Sequence, residues 1–259
     1  MSIHTNRFTP LWVQGLAALG VLLIAGWALQ HYGDIDLERI RHIFFNMEVM
    51  EGQWGLLMSG LWITTELAVV SIILSTILGL LVAIFRIKEN KIINVLLVGY
   101  LEFCRATPIL VALIVVYFGL PFLNIRFSAF ESGVIVIVFV HAAYIGEAFR
   151  SGIMAIHRTQ TEASYALGMT PRQTLQYILV PQAFRMVLPS LANQWIGVIK
   201  DTAVTSLLAI TELLKAAQII ATWKANPTPL VMSTFLYLLI LIPLTILTMK
   251  LERNQKLTR

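Results

Sequence analysis

The chain has 259 residues, 58% of them hydrophobic and 13% charged, with a mean hydropathy of +0.78. Soluble domains carry roughly 25% charged residues, so this composition cannot cover a water-facing surface and excludes a soluble globular protein. The formal charge of +5 calls for no nucleic acid, because lysines and arginines collect at the cytoplasmic ends of membrane spans; the single cysteine, Cys104, excludes an intramolecular disulfide.

A helix needs about 20 apolar residues to cross the hydrocarbon layer. Leu11–Gln30 is a first, uncharged run. Arg7 precedes it, but its length exceeds the apolar region of a signal peptide and no A-x-A-like site follows, so it reads as a span. Residues 34–55 mix charges with Ile40, Ile43, Phe44 and Met47 at helical spacing, the pattern of a surface-lying amphipathic helix or of a docking surface for an outside partner. Leu57–Phe85 is a second run, broken only by Glu66, and its Ser75 and Gly79 suit close helix packing. Ile92–Leu120, with Glu102 and Arg105, is the third; Gly133–Phe149, with His141 and Glu147, is the fourth. Met186–Ile210, with Lys200 and Asp201, is the fifth, and uncharged Leu230–Met249 the sixth. Pro108 and Pro243 lie inside runs and are expected to kink them. The expected fold class is an all-α integral membrane protein with about six transmembrane helices.

Basic residues orient the spans. With the N terminus inside, twelve fall on the inner side: Arg7, Arg86, Lys88, Lys91, Arg150, Arg158, Arg172, Arg185, Lys250, Arg253, Lys256 and Arg259. Five fall outside, namely Arg39, Arg41, Arg126, Lys215 and Lys224. Both termini are therefore expected in the cytoplasm, and so is the stretch "TEASYALGMTPRQTLQYILVP" at residues 161–181.

That stretch reads as a helical hairpin outside the bilayer. Thr161 is expected to cap a helix starting at Glu162, which Gly168 ends. Thr170 caps a second helix with Pro171 at its first position, and Pro181 is expected to stop it. Ala163, Tyr165, Ala166, Leu167 and Met169 give the first arm an apolar face; Leu175, Ile178 and Leu179 give one to the second. Such a hairpin serves either as a re-entry loop packed on the span ends or as a docking element for a cytoplasmic protein.

Glu162-Ala163-Ser164, then Gly168, then Ile178 and Pro181 match the spacing of the EAA loop of ABC-importer permease subunits. Ser164 and Val180 depart mildly from the residues usual at their positions. "LEFCRATPILVALIVVYFGLP" resembles the E-x-x-R-x-T-P start of a span in that family. "AAYIGEAFRSGI" and "VPQAFRMVLPSLANQWIGVIKDTAVTSLLAITELLKAAQ" resemble its polar-amino-acid branch. The resemblance covers roughly residues 57–253.

The resemblance implies an arrangement of 1–33 as an N-terminal transmembrane helix, 34–55 as a periplasmic amphipathic segment, 56–252 as the permease core and 253–259 as a cytoplasmic tail. It implies a bacterial inner-membrane importer of a polar or charged amino acid. Its implied partners are a second permease subunit, identical or homologous, a cytoplasmic ABC ATPase dimer carrying ATP and magnesium, and a periplasmic amino-acid-binding protein, all in membrane lipid. Glu162, Ala163, Ser164, Gly168, Ile178 and Pro181 would couple to the ATPase. The chain itself has no G-x-x-x-x-G-K-[ST] loop, so an ATP site and a cofactor of its own are not expected.

Intramembrane ionisable residues cost about 2.5–3.5 kcal/mol on insertion scales and default to functional candidates. Glu102 and Arg105, three apart, share a helical face and read as a structural ion pair or as path-lining groups. Lys200 and Asp201 are adjacent, point about 100° apart and cannot pair with each other. Glu147, like Glu66, lies near a span end; His141 reads as a packing residue. Glu102, Arg105, Glu147, Lys200 and Asp201 are the candidates for a translocation path or gate. No H-E-x-x-H or G-x-S-x-G supports an intramembrane enzyme. An ion-gradient-driven carrier or channel would leave the hairpin unexplained, and within the ABC class another small solute remains the alternative.

Overall fold

The computed structural model describes residues 11–32, 36–87 and 91–257, and every regular element among them is helical. Arg7, Lys88 and Arg259, used above for orientation, lie outside the described residues. In chain order the helices are α1 (Leu11–Tyr32), α2 (Leu37–Phe44), α3 (Trp54–Ile87), α4 (Lys91–Ala106), α5 (Ile109–Ile114), α6 (Ala129–Met154), α7 (Arg158–Ala166), α8 (Pro171–Gln173), α9 (Val180–Asp201), α10 (Leu213–Lys224) and α11 (Thr228–Leu257). A π turn and a 3₁₀ turn extend α5 to Leu123, a π turn joins α8 to α9, and a 3₁₀ turn follows α9.

Trp54–Ile87, Ala129–Met154 and Thr228–Arg253 are long and apolar enough to cross a bilayer, and α4 with α5 qualifies as a bent pair. The described residues thus carry three such spans, or four with the pair, where the apolar runs suggest about six. The third run turns by 102° between Ala106 and Ile109, at the kink expected of Pro108. Pro108 supplies no N–H there and biases Thr107 away from the helical region. The fifth run is also divided: α9 ends at Asp201, and a 3₁₀ turn covers Thr202–Leu207.

The bundle is organised around α3 and α6, which form its largest interface; α9 packs on α6, and α10 and α11 close the side. Lipid tails solvate a leucine as well as another leucine does, so such an interface depends on close backbone approach. Gly79 and Gly146 provide it. A Cβ on Gly79 would stand 2.6 Å from Ile145 Cγ2 and 3.0 Å from the Gly146 nitrogen; one on Gly146 would stand 3.0 Å from the Gly79 carbonyl oxygen. Ser71 and Ser75 are buried on the same stripe of α3, as the small-residue spacing implied. Gly60 does the same for α10, a Cβ there falling 2.8 Å from Ala216 Cβ.

A buried carboxylate fastens the third side. Glu212 is fully buried at the N terminus of α10 and accepts from the backbone N–H groups of Leu214 and Lys215 at 2.9 and 2.7 Å. Tyr237 of α11 donates to it at 3.0 Å and Thr64 of α3 at 3.4 Å. Thr64 Oγ1 accepts in turn from Leu213 N–H at 3.0 Å. One carboxyl therefore caps α10 and ties it to two spans, a role its position outside the buried-charge candidates did not advertise.

Gly79→Ala and Gly146→Ala are each expected to cost about 1–3 kcal/mol by overpacking. Gly99→Ala, where nothing stands within 4 Å of the new Cβ, should not destabilise. Thermal unfolding in detergent checks this; equal melting temperatures for all three would remove the close-approach account.

Candidate functional site

After α6 the chain turns through Ala155–His157 and re-enters helix at Arg158, one turn earlier than Glu162. No glycine or proline interrupts residues 158–161, so the helix starts as soon as the turn ends, with no side-chain cap. Thr161 lies inside it, and its carbonyl accepts from Ser164 Oγ at 2.7 Å. At the other end Met169 N–H reaches the Ser164 carbonyl at 3.0 Å and Gly168 N–H the Tyr165 carbonyl at 2.9 Å. This is a Schellman closure, and Gly168 takes the positive φ it requires, +77°. Nothing lies within 4 Å of a Cβ there, so the constraint is the dihedral and not space.

Thr170 then caps α8 reciprocally: Thr170 Oγ1 accepts from Gln173 N–H at 3.4 Å, and Gln173 Oε1 accepts from Thr170 N–H at 2.8 Å. Pro171 occupies the first turn, as expected. Pro181, however, does not stop this arm. The helix passes through a π turn at Thr174–Leu179 and continues as α9 to Asp201. Pro181 falls in the first turn of α9, at the seam with the wide turn, where a missing N–H costs least. The second arm of the hairpin and α9 are therefore one continuous helical rod.

Ser164 is where the two arms meet. Its hydroxyl is buried 2.8 Å from Thr174 Oγ1, itself buried. With the Ser164 hydrogen directed at Thr161, Thr174 is the donor. Gln182 Nε2 donates to Gln160 Oε1 at 3.4 Å as a second tie. The departure from alanine at position 164 thus supplies the hydrogen bond that closes the hairpin. Opposite this seam the surface is open: Glu162 and Ala163 are exposed, Leu167 is 82% exposed, and Tyr165, Tyr177 and Val180 are exposed as well. Ile178 is half-buried and Pro181 exposed; the side chain of Leu175 lies outside the described residues.

The span charges divide into three places. Arg105 donates to Glu102 at 3.1 Å on an exposed face of α4, the pairing their spacing implied. Glu147 accepts from Arg150 Nε at 3.1 Å and from Arg86 of α3. Arg105 and Glu147 both line a cavity of about 360 Å³ between α4, α6 and α9, with Tyr144, Ser151, Ser190 and Gln194. Asp201 accepts from or donates toward His141 Nε2 at 2.9 Å according to the proton held between them. That pair joins the end of α9 to the middle of α6, so the packing role read for His141 comes with a specific partner. Gly197 makes room for the ring, since a Cβ there would stand 3.2 Å from His141 Cε1. Glu102 does not line the cavity, and Lys200 and Glu66 are exposed. The Arg86–Glu147 and His141–Asp201 pairs span 61 and 60 residues, and neither has a local signal.

Ser164→Ala leaves the Thr174 hydroxyl buried without its acceptor and is expected to loosen the hairpin by about 1–2 kcal/mol. Thr174→Val in the same chain should recover part of that loss. Hydrogen exchange of residues 158–180 checks the pair; strictly additive effects would break the proposed seam.

Residues 75–256 match the family model described as binding-protein-dependent transport system inner membrane component. The chain is 30% identical over 214 residues to the probable glutamine ABC transporter permease protein GlnM of Bacillus subtilis, covering 81% of this chain and 97% of that one. It is 33% identical over 206 residues to the glutamine transport system permease protein GlnP of Escherichia coli, covering 78% and 94%. Among solved structures, one described as an amino acid ABC transporter with histidines superposes with a TM-score of 0.73 at 30% identity, over 79% of this chain and 96% of that one. The match extends over most of the helical bundle and includes the hairpin, and the chain belongs to the family of inner-membrane permease components of binding-protein-dependent ABC transport systems.

Proposed function

We propose that this chain imports a polar amino acid, with its hairpin seated on a cytoplasmic ATPase and its solute passing the cavity beside Glu147. The observation that carries the reading is the continuity of the hairpin with α9: the rod starts at the exposed α7–α8 surface and passes the cavity through Ser190 and Gln194. A displacement at its outer end is therefore delivered to the cavity wall. The family member is a membrane subunit, and ATP hydrolysis belongs to a separate subunit.

The solute class follows from the lining. A zwitterion loses hydration at both ends on leaving water, and unpaired charges are costly in an apolar path. The cavity offers a guanidinium, two serine hydroxyls and an amide, beside Glu147 held by Arg86 and Arg150, a lining that suits an α-carboxylate and a polar side chain. Relatives named for glutamine and for cystine transport support the same class. The twelve-to-five distribution of basic residues supports a cytoplasmic hairpin and cytoplasmic termini. The implied partners are an ATPase dimer holding ATP and magnesium, a second permease subunit and an extracytoplasmic binding protein. Asp201, held by His141, is read as a tie between α9 and α6, and Lys200 as a lipid-phosphate or solute-carboxylate contact.

Reconstitution with the ATPase and binding protein tests this reading: uptake of a labelled polar amino acid should require ATP and be competed by other polar amino acids. Gly168→Val strains a positive φ by about 1–2 kcal/mol and should weaken ATPase docking about ten-fold with the subunit still inserted. Gly168→Asn, which tolerates that conformation, should largely retain uptake. Uptake driven by an ion gradient without ATP, or competed only by a sugar or metal ion, would contradict the assignment.

A further inference from the structure

The short helix α2 precedes the residues matched by the family, which begin at 75, and none of its side chains is buried. It is nonetheless fixed in place. Thr228, the first residue of α11 and fully buried, donates from Oγ1 to the Ile43 carbonyl at 3.2 Å and accepts from Asn46 N–H at 3.1 Å. Four residues beyond Asn46, Met50 is fully buried among Leu57, Leu213, Ala216, Ala217, Ile220 and Met232. The end of α2 is therefore pinned level with the end of a membrane span. Exposed tryptophans mark comparable positions elsewhere: Trp54 begins α3 and Trp223 lies in the last turn of α10.

The side chains of α2 are arranged about Ile40. Leu37, Ile40 and Phe44, at helical spacing, form an apolar stripe that is 46, 40 and 42% exposed. Arg39 and Arg41 adjoin Ile40 in sequence, so they flank the stripe about 100° to either side. Glu38 and His42, two residues from Ile40, lie on the opposite face. Arginines on both margins of an apolar stripe reach a plane just above it, where lipid phosphates lie, while Glu38 and His42 on the far face stay in water. A protein partner fits less well: a stripe of three side chains on an eight-residue helix is far below the roughly 800 Å² per partner of a stable interface.

We infer that α2 is an interfacial anchor, with Leu37, Ile40 and Phe44 inserted at the headgroup–acyl boundary and Arg39 and Arg41 bound to lipid phosphates. Through Thr228 and Met50 the bilayer surface then holds the ends of α10 and α11 against α3. The inference rests on membrane placement of the family and is independent of the solute and of the ATPase seat.

Single-cysteine variants Glu38→Cys, Ile40→Cys and Phe44→Cys in a Cys104→Ala chain, labelled with an environment-sensitive fluorophore in phosphatidylglycerol-containing vesicles, test it. Lipid nitroxides near the headgroup should quench positions 40 and 44 at least about two-fold more than nitroxides at the chain end, as for shallow insertion. Aqueous iodide should quench only position 38. Arg39→Gln with Arg41→Gln should lower the lipid quenching at 44 about two-fold or more, and the paired lysine variant should retain it. If Cys104→Ala assembles poorly, the native thiol, 3% exposed, can stay. Equal iodide quenching at 38, 40 and 44 overturns the inference, as does protection of 40 and 44 only when the binding protein is added.

Discussion

Close approach of α3 and α6 at Gly79 and Gly146 is the constraint on which the other helices depend. Within hydrocarbon no hydrophobic force pushes two spans together, and what remains is van der Waals contact and hydrogen bonding between backbones that can come near enough. The pair forms the largest seam of the bundle, and α9 packs on α6. The sites for Ile145, Val187 and Leu191, and for the His141–Asp201 pair, exist only because that seam sets the separation. Polar ties then act as locks on a geometry already chosen by small residues. Glu212, capping α10 and reaching Tyr237 and Thr64, is the most extensive of them among the described residues.

The proposed coupling follows from a second constraint, on the backbone. From Pro171 to Asp201 the chain stays helical through a π turn and two prolines, Pro181 and Pro189. At 1.5 Å per residue such a rod is about 45 Å long, comparable to a bilayer with its headgroups. This continuous helix is tied to α7 by Ser164 and Thr174 and to α6 by His141 and Asp201. Between these ties lies the cavity with Arg105 and Glu147, so in the proposed coupling a shift of the hairpin would reach the cavity wall through α9. On the opposite end α2 and Met50 brace α10 and α11.

Much of this was legible from periodicity and local chemistry. The run Leu57–Phe85 falls within Trp54–Ile87, and Gly133–Phe149 within Ala129–Met154, because apolar length is set by the bilayer. Gly168 and the Thr170–Pro171 cap were readable because their signals are contained within a few residues. The start of α7 was misplaced since Thr161 is a good cap only where a helix is not already running. Pro181 was misread because a preceding π turn lets a proline sit at a helix seam. The His141–Asp201 pair and the Glu212 network were invisible for a different reason. Their partners lie 60 and 148 residues apart, and only the packed bundle brings them together.

The most direct test of the coupling claim is a photo-crosslink from the hairpin's open face. A benzophenone amino acid at Leu167, the most exposed apolar position of that face, should capture the ATPase subunit in assembled transporter in native membranes. The same probe at the buried position Ser164 should not. Capture of the ATPase from 167, changing in yield when ATP is added, is the result the account predicts. Crosslinks from 167 confined to lipid or to this chain's own spans would contradict it.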